Sequence, residues 1–307
     1  MEERTLIKDL SGKAGETVTI KGFVDVRRDQ GKLVFFDFRD RTGTVQGVVL
    51  PGDEALMEAA KEIRNEHIVE VSGIVNKRPE KNVQEGKLNG DIELEVKGIR
   101  SLVAPAELPF DKDADDLSIE TRFDYRPFTL RSQRDRDIFK VQATVLRAFR
   151  EALYTRDFTE FTAPVLVGGD AEGGAAVFEI PDYYGKRAFL ATSGQLYKQI
   201  MVGPFERVMT IAKTFRAEKS ATTRHLSEIV QLEFEMGFVK NHEDVMDVLE
   251  SVAREISTAV ASEHADALAR FNVAPALLPE GQFPRFTLRE AQEIIEREFG
   301  GKAVGEP

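Results

Sequence analysis

Two segments between residues 207 and 239 alternate with a period of two and carry charged side chains. The first segment reads RVMTIAKTFRAE, the second reads IVQLEFEMGFV, and the stretch between them, KSATTRHLSE, has no apolar pattern. Alternation with a period of two predicts β-strands, so we expect a long antiparallel hairpin. Its first strand would place Arg216 and Glu218 on one face, where a guanidinium held in a fixed fork can stabilise negative charge.

The second strand of this hairpin separates an apolar face from an ionic one. Alternation assigns its side chains to two sets, with Val230, Leu232, Phe234 and Met236 on the apolar face and Gln231, Glu233 and Glu235 on the ionic face. The alignment of an arginine with carboxylates, and the presence of Lys219 and Arg224 in the connecting loop, favour a functional site. The alternative is a solvated sheet face, where alternating charges usually lie.

This hairpin resembles motif 2 of the class II aminoacyl-tRNA synthetases, and FRAEKSATTRHLSEIVQLEFEMGF is similar to their aspartyl, asparaginyl and lysyl branch. The resemblance implies that Arg216 is catalytic, because it would stabilise the charge that builds when an amino-acid carboxylate attacks the α-phosphate of ATP. The implied ATP-binding residues are Arg216, Glu218, Arg224, His225 and Leu226. Glu233 and Glu235 are expected to bind Mg²⁺ together with phosphate, unless they belong to a polar sheet face without a metal.

Two segments upstream resemble further parts of the same branch. FREALYTRDFTEFTAPVL looks like motif 1, a long helix and a strand ending at Pro164, and implies a homodimer. GGDAEGGAAVFEI has neither GxGxxG nor a P-loop lysine, so it is not predicted to bind phosphate. The resemblance places Glu172 of this segment near the substrate ammonium, and a flexible lid without a binding role is the alternative.

The segment SGQLYKQ indicates the amino acid. It resembles the QLYKQ segment of aspartyl enzymes, so Gln195 and Lys198 are expected to bind aspartate together with Glu172 and Arg216. A lysine ammonium is a natural partner for a side-chain carboxylate, and the text RAEK also favours the aspartyl over the asparaginyl enzymes. Gly194 departs from the aspartyl pattern, which usually has proline there, and matches the asparaginyl SGQL.

Alternating apolar residues from Thr17 to Ser101 predict five short strands, with a helix in DEALMEAAKEIRNEH between the third and the fourth. Three strands, a helix and two strands are the layout of an OB-fold barrel, and a small barrel without a nucleic-acid role is the alternative. GFVDVRRDQGKLVFFDFRDRTGTVQGVV also resembles the anticodon-binding domain of this branch. That resemblance implies that Phe35 stacks on a base and that Arg28, Gln46 and Arg78 read base edges. Without the resemblance, Phe35 would be assigned to the core beside Phe36 and Phe38.

Composition limits the remaining possibilities. The chain has 307 residues, no cysteine, four scattered histidines and a formal net charge of −11. Thiolate chemistry is therefore excluded, no histidine cluster at metal-ligand spacing is available, and any RNA contact must be local because the net charge repels phosphate. No apolar run is long enough to cross a membrane, and MEERTLIKDL does not read as a secretory signal, so we expect a cytoplasmic protein with no membrane partner.

We therefore predict an α+β multidomain fold in which an OB-fold β-barrel precedes an incomplete class II antiparallel sheet with flanking helices. Residues 1–103 would form the anticodon-binding domain, 104–135 a linker or hinge, and 136–307 a partial catalytic domain with motifs 1 and 2 but not motif 3. The resemblance also implies a longer parent protein, so we expect this chain alone to be poorly active or inactive.

The predicted function is aspartate–tRNA ligation. L-aspartate would be activated by ATP to aspartyl-adenylate and transferred to the 3′ end of tRNA(Asp), with tRNA(Asn) left open as a second substrate. An asparaginyl-tRNA synthetase or a related ligase paralogue is one alternative. A non-catalytic protein that binds tRNA or single-stranded RNA is another.

Overall fold

The structure is a computed structural model that describes residues 4–114, 116–169, 176–218, 222, 225–276 and 278–300. The chain divides into two compact units, Met1–Asp111 and Lys112–Pro307. Each unit has its own hydrophobic core.

The first unit is the predicted OB-fold, a closed barrel with the strand order β1-β2-β3-β5-β4. Its elements are β1 (Thr17–Asp29), β2 (Val34–Asp40), β3 (Gly43–Val49), α1 (Glu54–Glu62), β4 (Ile68–Lys77) and β5 (Ile92–Val103). The side chain of Asp53 accepts a hydrogen bond from the backbone N–H of Leu56 and so caps α1. The predicted order of three strands, a helix and two strands is confirmed.

Strict alternation along β2 builds the barrel core. Phe36 and Phe38 are fully buried and stack with ring centroids 5.3 Å apart, whereas Phe35 between them is half-buried on the outer face. Gly47 on β3 makes room for this stack, because a Cβ atom there would lie 2.4 Å from Cε2 of Phe38. The core assignment that Phe35 would receive without the family resemblance is therefore wrong.

The second unit is built from seven helices and six strands among its described residues. Its helices are α2 (Ile119–Asp124), α3 (Arg126–Thr129), α4 (Gln133–Tyr154), α5 (Gln195–Phe205), α6 (His242–Glu263), α7 (Ala265–Arg270) and α8 (Leu288–Phe299). Its strands are β6 (Thr159–Glu160), β7 (Leu166–Val167), β8 (Glu179–Tyr183), β9 (Lys186–Leu190), β10 (Arg207–Phe215) and β11 (Glu228–Met236). The segment 104–135, predicted as a linker, contains α2 and α3.

Two three-stranded sheets lie in this unit, with the orders β11-β10-β6 and β7-β9-β8. The predicted long hairpin is β10 and β11, which pair antiparallel from Arg207 opposite Met236 to Phe215 opposite Glu228. The motif 1 strand is shorter than predicted: only Thr159–Glu160 pairs, in parallel with β10.

The apolar face of the hairpin packs against α4 and α6. Phe149 and Leu153 of α4 and Val252 of α6 are buried there with Phe158 and Met209, and Leu232, Phe234 and Met236 pack against this cluster. Val230 occupies the same face but is 44% exposed, so the described residues do not cover that end of the predicted apolar face. No helix in the described part of the chain is long and apolar enough to cross a membrane.

Replacing a barrel phenylalanine should have an effect that depends on the face it occupies. Phe36→Ala is expected to lower the free energy of unfolding of the barrel by about 3–5 kcal/mol, because it leaves a cavity in a closed core. The matched control Phe35→Ala should cost only about 1 kcal/mol. Hydrogen exchange of barrel peptides in increasing urea measures both values, and equal losses would contradict the assigned faces.

Candidate functional site

The ionic face of β11 forms the floor of a polar site. In the β10–β11 register, Glu233 lies opposite Thr210, Gln231 opposite Ala212 and Glu235 opposite Val208. Because Leu232 and Phe234 alternate with these residues and pack on the core, the glutamates project from the other face. This is the separation of faces predicted from the sequence.

Lys198 of α5 joins this face from a buried position. Its Nζ lies 2.9 Å from Oε2 of Glu233 and 3.6 Å from Oε2 of Glu235. The side chains of Lys198 and Glu233 are only 9% and 10% exposed, so the ion pair is largely shielded from water. Among the described residues, no aligned hydrogen bond reaches Oε2 of Glu233, so this oxygen is held by charge alone.

Gln195, one turn before Lys198, points to the same carboxylates. Its Nε2 donates a hydrogen bond of 3.4 Å to Oε2 of Glu235. The two side chains predicted to hold the amino acid therefore meet two glutamates at the start of α5. Their i, i+3 spacing on a helix explains why both face one way.

Gly194 shapes this corner of the site. It precedes α5 with φ −82°, and its backbone N–H donates a 3.4 Å hydrogen bond to Oε1 of Glu233. Proline could adopt this φ but would remove the N–H. Even a Cβ atom at residue 194 would lie 3.3 Å from Oε2 of Glu233. Glycine at residue 194 thus leaves room for the Glu233 side chain.

Arg216 follows the end of β10. Its backbone N–H donates to the carbonyl oxygen of Ser227 at 3.0 Å, which extends the ladder by one bond. Its Nε is buried and has no hydrogen-bond partner among the described residues, so a donor is left for a ligand. An anionic oxygen of a ligand could satisfy this donor of Arg216.

The other predicted nucleotide-binding residues lie near the end of the hairpin. Glu218 is exposed beyond the last residue of β10, and its N–H bonds the carbonyl oxygen of Arg216 at 2.9 Å. The expectation that Arg216 and Glu218 lie on the first strand is therefore wrong, because β10 ends at Phe215 and the bond from Glu218 to Arg216 closes a turn. His225 bonds Thr222, and Leu226 is 55% exposed.

Three predictions remain without a structural outcome. Arg224 and Glu172 lie outside the described residues. Carboxylate oxygens suit Mg²⁺, but Glu233 and Glu235 bond Lys198 here, and no group of three or more acidic or histidine side chains that could hold a metal occurs among the residues with described positions. Their magnesium role stays a prediction.

The barrel carries a second candidate site on its outer face. Phe35, Gln46 and Arg78 line one surface depression of about 480 Å³. Nε of Arg78 donates to the carbonyl oxygen of Ile92 at 2.8 Å, which fixes the guanidinium at the edge of the depression. Three of the four predicted anticodon residues are therefore brought together.

Arg28, the fourth, lies opposite Phe35 in the β1–β2 register. Its guanidinium donates two hydrogen bonds to Asp37, at 2.7 and 2.9 Å. The hydrogen bond to Asp37 holds the pKa of Arg28 above its usual range. The planar fork is therefore held in a fixed orientation beside the aromatic ring.

Sequence reasoning missed several polar residues of this surface. The depression is also lined by Asn82, Gln84 and Glu93. The first two lie in the β4–β5 connection, a loop through which OB-folds bind oligonucleotides, and that rule could have identified them. Asp37, the partner of Arg28, was likewise not anticipated.

Two protein families match the chain. The family described as tRNA synthetases class II (D, K and N) matches residues 118–302, and the OB-fold nucleic acid binding domain matches residues 18–102. The two matches together cover the barrel and most of the second unit.

Individual relatives agree with these families. The aspartate–tRNA(Asp/Asn) ligase of Deinococcus radiodurans is 39% identical over 99% of this chain and 66% of its own length. The enzyme of the same name from Thermus thermophilus is 37% identical over 97% of this chain and 67% of its own. The chain thus spans about two thirds of the length of these relatives.

Solved structures extend the likeness to the backbone. The asparaginyl-tRNA synthetase of Pyrococcus horikoshii complexed with asparaginyl-adenylate has a TM-score of 0.84 and 30% identity, covering 97% of this chain and 68% of that one. The chain with these class II relatives combines an OB barrel, a two-faced hairpin and Lys198 beside Gln195. From its matched residues and its relatives, the chain belongs to the class II tRNA synthetases of the D, K and N group.

Proposed function

We propose that this chain is part of an aspartate–tRNA ligase that activates L-aspartate with ATP and transfers it to the 3′ end of tRNA(Asp) and tRNA(Asn). The observation that carries the proposal is the buried Lys198, which shares its charge with Glu233 and Glu235 next to Gln195. The names of the sequence relatives, which include both tRNAs, support the pair of RNA substrates.

The Lys198 cluster suits the side-chain end of aspartate. An incoming side-chain carboxylate can bond the Lys198 ammonium. Gln195 can bond the substrate through its amide, and Glu172 is proposed to close over the ammonium. Asparagine would offer Lys198 only a neutral side-chain oxygen and would forgo the charge-assisted hydrogen bond that the aspartate carboxylate makes.

Arg216 is proposed as the catalytic residue. Its unpartnered Nε supports a role in binding the α-phosphate, where negative charge builds as the aspartate carboxylate attacks. Glu218, Arg224, His225 and Leu226 are proposed to lie along the nucleotide. Mg²⁺ bound to the phosphates would supply further charge neutralisation, with Glu233 and Glu235 as its proposed protein ligands.

The barrel is proposed to bind the tRNA anticodon. Phe35 would stack on an unpaired base, while Arg28, Gln46 and Arg78 hydrogen-bond to base edges. The depression that Phe35, Gln46 and Arg78 share supports this role. We retain 1–103 as the anticodon-binding domain, 104–135 as the hinge, 136–307 as part of the catalytic domain, and the cytoplasm as the location.

An asparaginyl-tRNA synthetase is the second candidate. Gly194 and the likeness to the Pyrococcus horikoshii enzyme favour it. Lys198 opposes it, because a neutral side-chain amide needs no buried cation. The amino acid that the enzyme activates separates the two candidates.

Replacing Lys198 should selectively impair aspartate activation. Lys198→Gln is expected to lower kcat/KM for aspartate-dependent exchange of pyrophosphate into ATP by about 10- to 150-fold, the loss of one charge-assisted hydrogen bond. The measurement uses this chain and the protein encoded by the complete reading frame that contains it. The matched control is Lys213→Gln, which replaces an exposed lysine of β10 that pairs with Glu228 of β11. This variant should leave exchange unchanged.

Exchange with asparagine instead of aspartate in the unsubstituted protein would replace the first candidate by the second. If no amino acid supports exchange of pyrophosphate into ATP by the complete protein, a non-catalytic RNA-binding protein is favoured instead.

Removing the aromatic ring of Phe35 should weaken RNA binding. Phe35→Ala is expected to raise the Kd for the anticodon stem–loop of an aspartate tRNA by about 5- to 150-fold, because base stacking on an aromatic is lost. Fluorescence anisotropy at fixed salt measures the Kd. Leu102→Ala, a partly exposed residue near the end of β5, should have no effect, and equal losses in both variants would refute the assigned surface.

The chain is proposed to form a homodimer through motif 1. Exposed apolar side chains on α4, namely Ile138, Phe139 and Tyr154, support a covered surface there. Sedimentation equilibrium at micromolar concentration should give twice the chain mass. The variant Phe139→Asp should shift the protein toward monomer, and a monomeric unsubstituted chain would contradict the proposal.

A further inference from the structure

Strand β1 contains a one-residue bulge in its pairing with β2. The register shifts between Val24 and Val26, so Asp25 is the extra residue. Beyond the bulge the opposed pairs are Val26 with Asp37, Arg27 with Phe36, and Arg28 with Phe35. Directly opposed residues share a face, so the bulge places Arg28 on the outer face beside Phe35.

Hydrophobic alternation does not explain this register. In an unbroken ladder Val26 would face the buried Phe36, and Arg27 would take the position beside Phe35. The observed register instead places a valine opposite Asp37 on the outer face. Other interactions must therefore hold the bulge in place.

Arg39 of β2 supplies the strongest of these interactions. Its Nε donates to Oδ1 of Asp25, the bulged residue, at 2.7 Å, and its Nη2 donates to Oε1 of Glu66 at 2.5 Å. The Arg39 and Glu66 side chains are 8% and 1% exposed. The backbone N–H of Glu66 in turn donates to the carbonyl oxygen of Val24 at 2.7 Å. One buried guanidinium thus connects the bulge to the start of β4.

A second contact turns Arg27 away from the RNA-facing surface. Its backbone N–H donates to Oδ1 of Asn65 at 3.0 Å, and its Nε lies 3.4 Å from the carbonyl oxygen of Ala60, which accepts from it. Arg28 is left on the outer face, where Asp37 fixes its fork.

We propose that Arg39 is a positioning residue for base recognition: by holding the bulge at Asp25, it selects Arg28 rather than Arg27 as the arginine beside Phe35. This inference rests on the proposed anticodon-binding function. Arg39 acts through the strand register: its side chain is buried and does not line the depression that Phe35, Gln46 and Arg78 share.

A double-mutant cycle on the complete chain tests the selection, with the anticodon stem–loop of an aspartate tRNA as the probe. In the unsubstituted background, Arg28→Ala should raise Kd by about 5- to 150-fold, while Arg27→Ala should change it less than about threefold. Arg39→Lys keeps the charge but cannot bond both carboxylates as a fork. In that background the penalty of Arg28→Ala should fall and the penalty of Arg27→Ala should rise, because the register has shifted by one residue.

Two further variants separate positioning from general destabilisation. Asp25→Asn weakens the same clamp from its other side and should also transfer the penalty from Arg28 to Arg27. Val71→Ala removes core volume without touching the clamp and should leave the Arg28→Ala penalty intact. Phe35→Ala should weaken binding in every background, which shows that the surface is still formed.

An Arg28→Ala penalty that is unchanged in both clamp variants would refute the positioning role and leave the anticodon function standing. If neither Arg28→Ala nor Phe35→Ala weakens RNA binding in the unsubstituted protein, the anticodon function fails and this inference fails with it.

Discussion

The two-sided character of β11 is the constraint on which the second unit depends. Leu232, Phe234 and Met236 bury one face against α4 and α6, and this packing fixes the opposite face, where Glu233 and Glu235 lie. A slip of one residue would exchange the two sets, exposing the core and burying the carboxylates. The hydrophobic core therefore determines the geometry of the polar site, although none of its members belongs to that site.

Both units keep a buried cation between two carboxylates. Lys198 lies between Glu233 and Glu235, and Arg39 lies between Asp25 and Glu66. Burying such charges is costly, and an apolar replacement of similar volume is often no less stable. The proposed value of both cations is positional: Lys198 would receive a ligand carboxylate, and Arg39 would set which arginine reaches the barrel surface. In each cluster, burying the charges lowers the free energy of unfolding but holds one arrangement of side chains at a binding surface.

Much of this architecture follows from periodicity. Alternation predicted the barrel strands and the faces of β11, because one side of each is buried and the register is thereby fixed. The two departures from periodicity are local: β10 ends at Phe215, before Arg216 and Glu218, and a bulge shifts the pattern at Val26. The partnership of Lys198 with Glu233 joins residues distant in sequence, and no local pattern encodes it. The roles of Glu172 and Arg224 remain predictions.

A calorimetric titration of the chain with non-hydrolysable analogues of aspartyl- and asparaginyl-adenylate tests the proposed selectivity for a side-chain carboxylate. Both analogues share the nucleotide and differ only in the group that meets Lys198. The aspartyl analogue should bind about 10- to 150-fold more tightly, because only it offers Lys198 a charged side-chain oxygen. Equal affinity, or preference for the asparaginyl analogue, would contradict it.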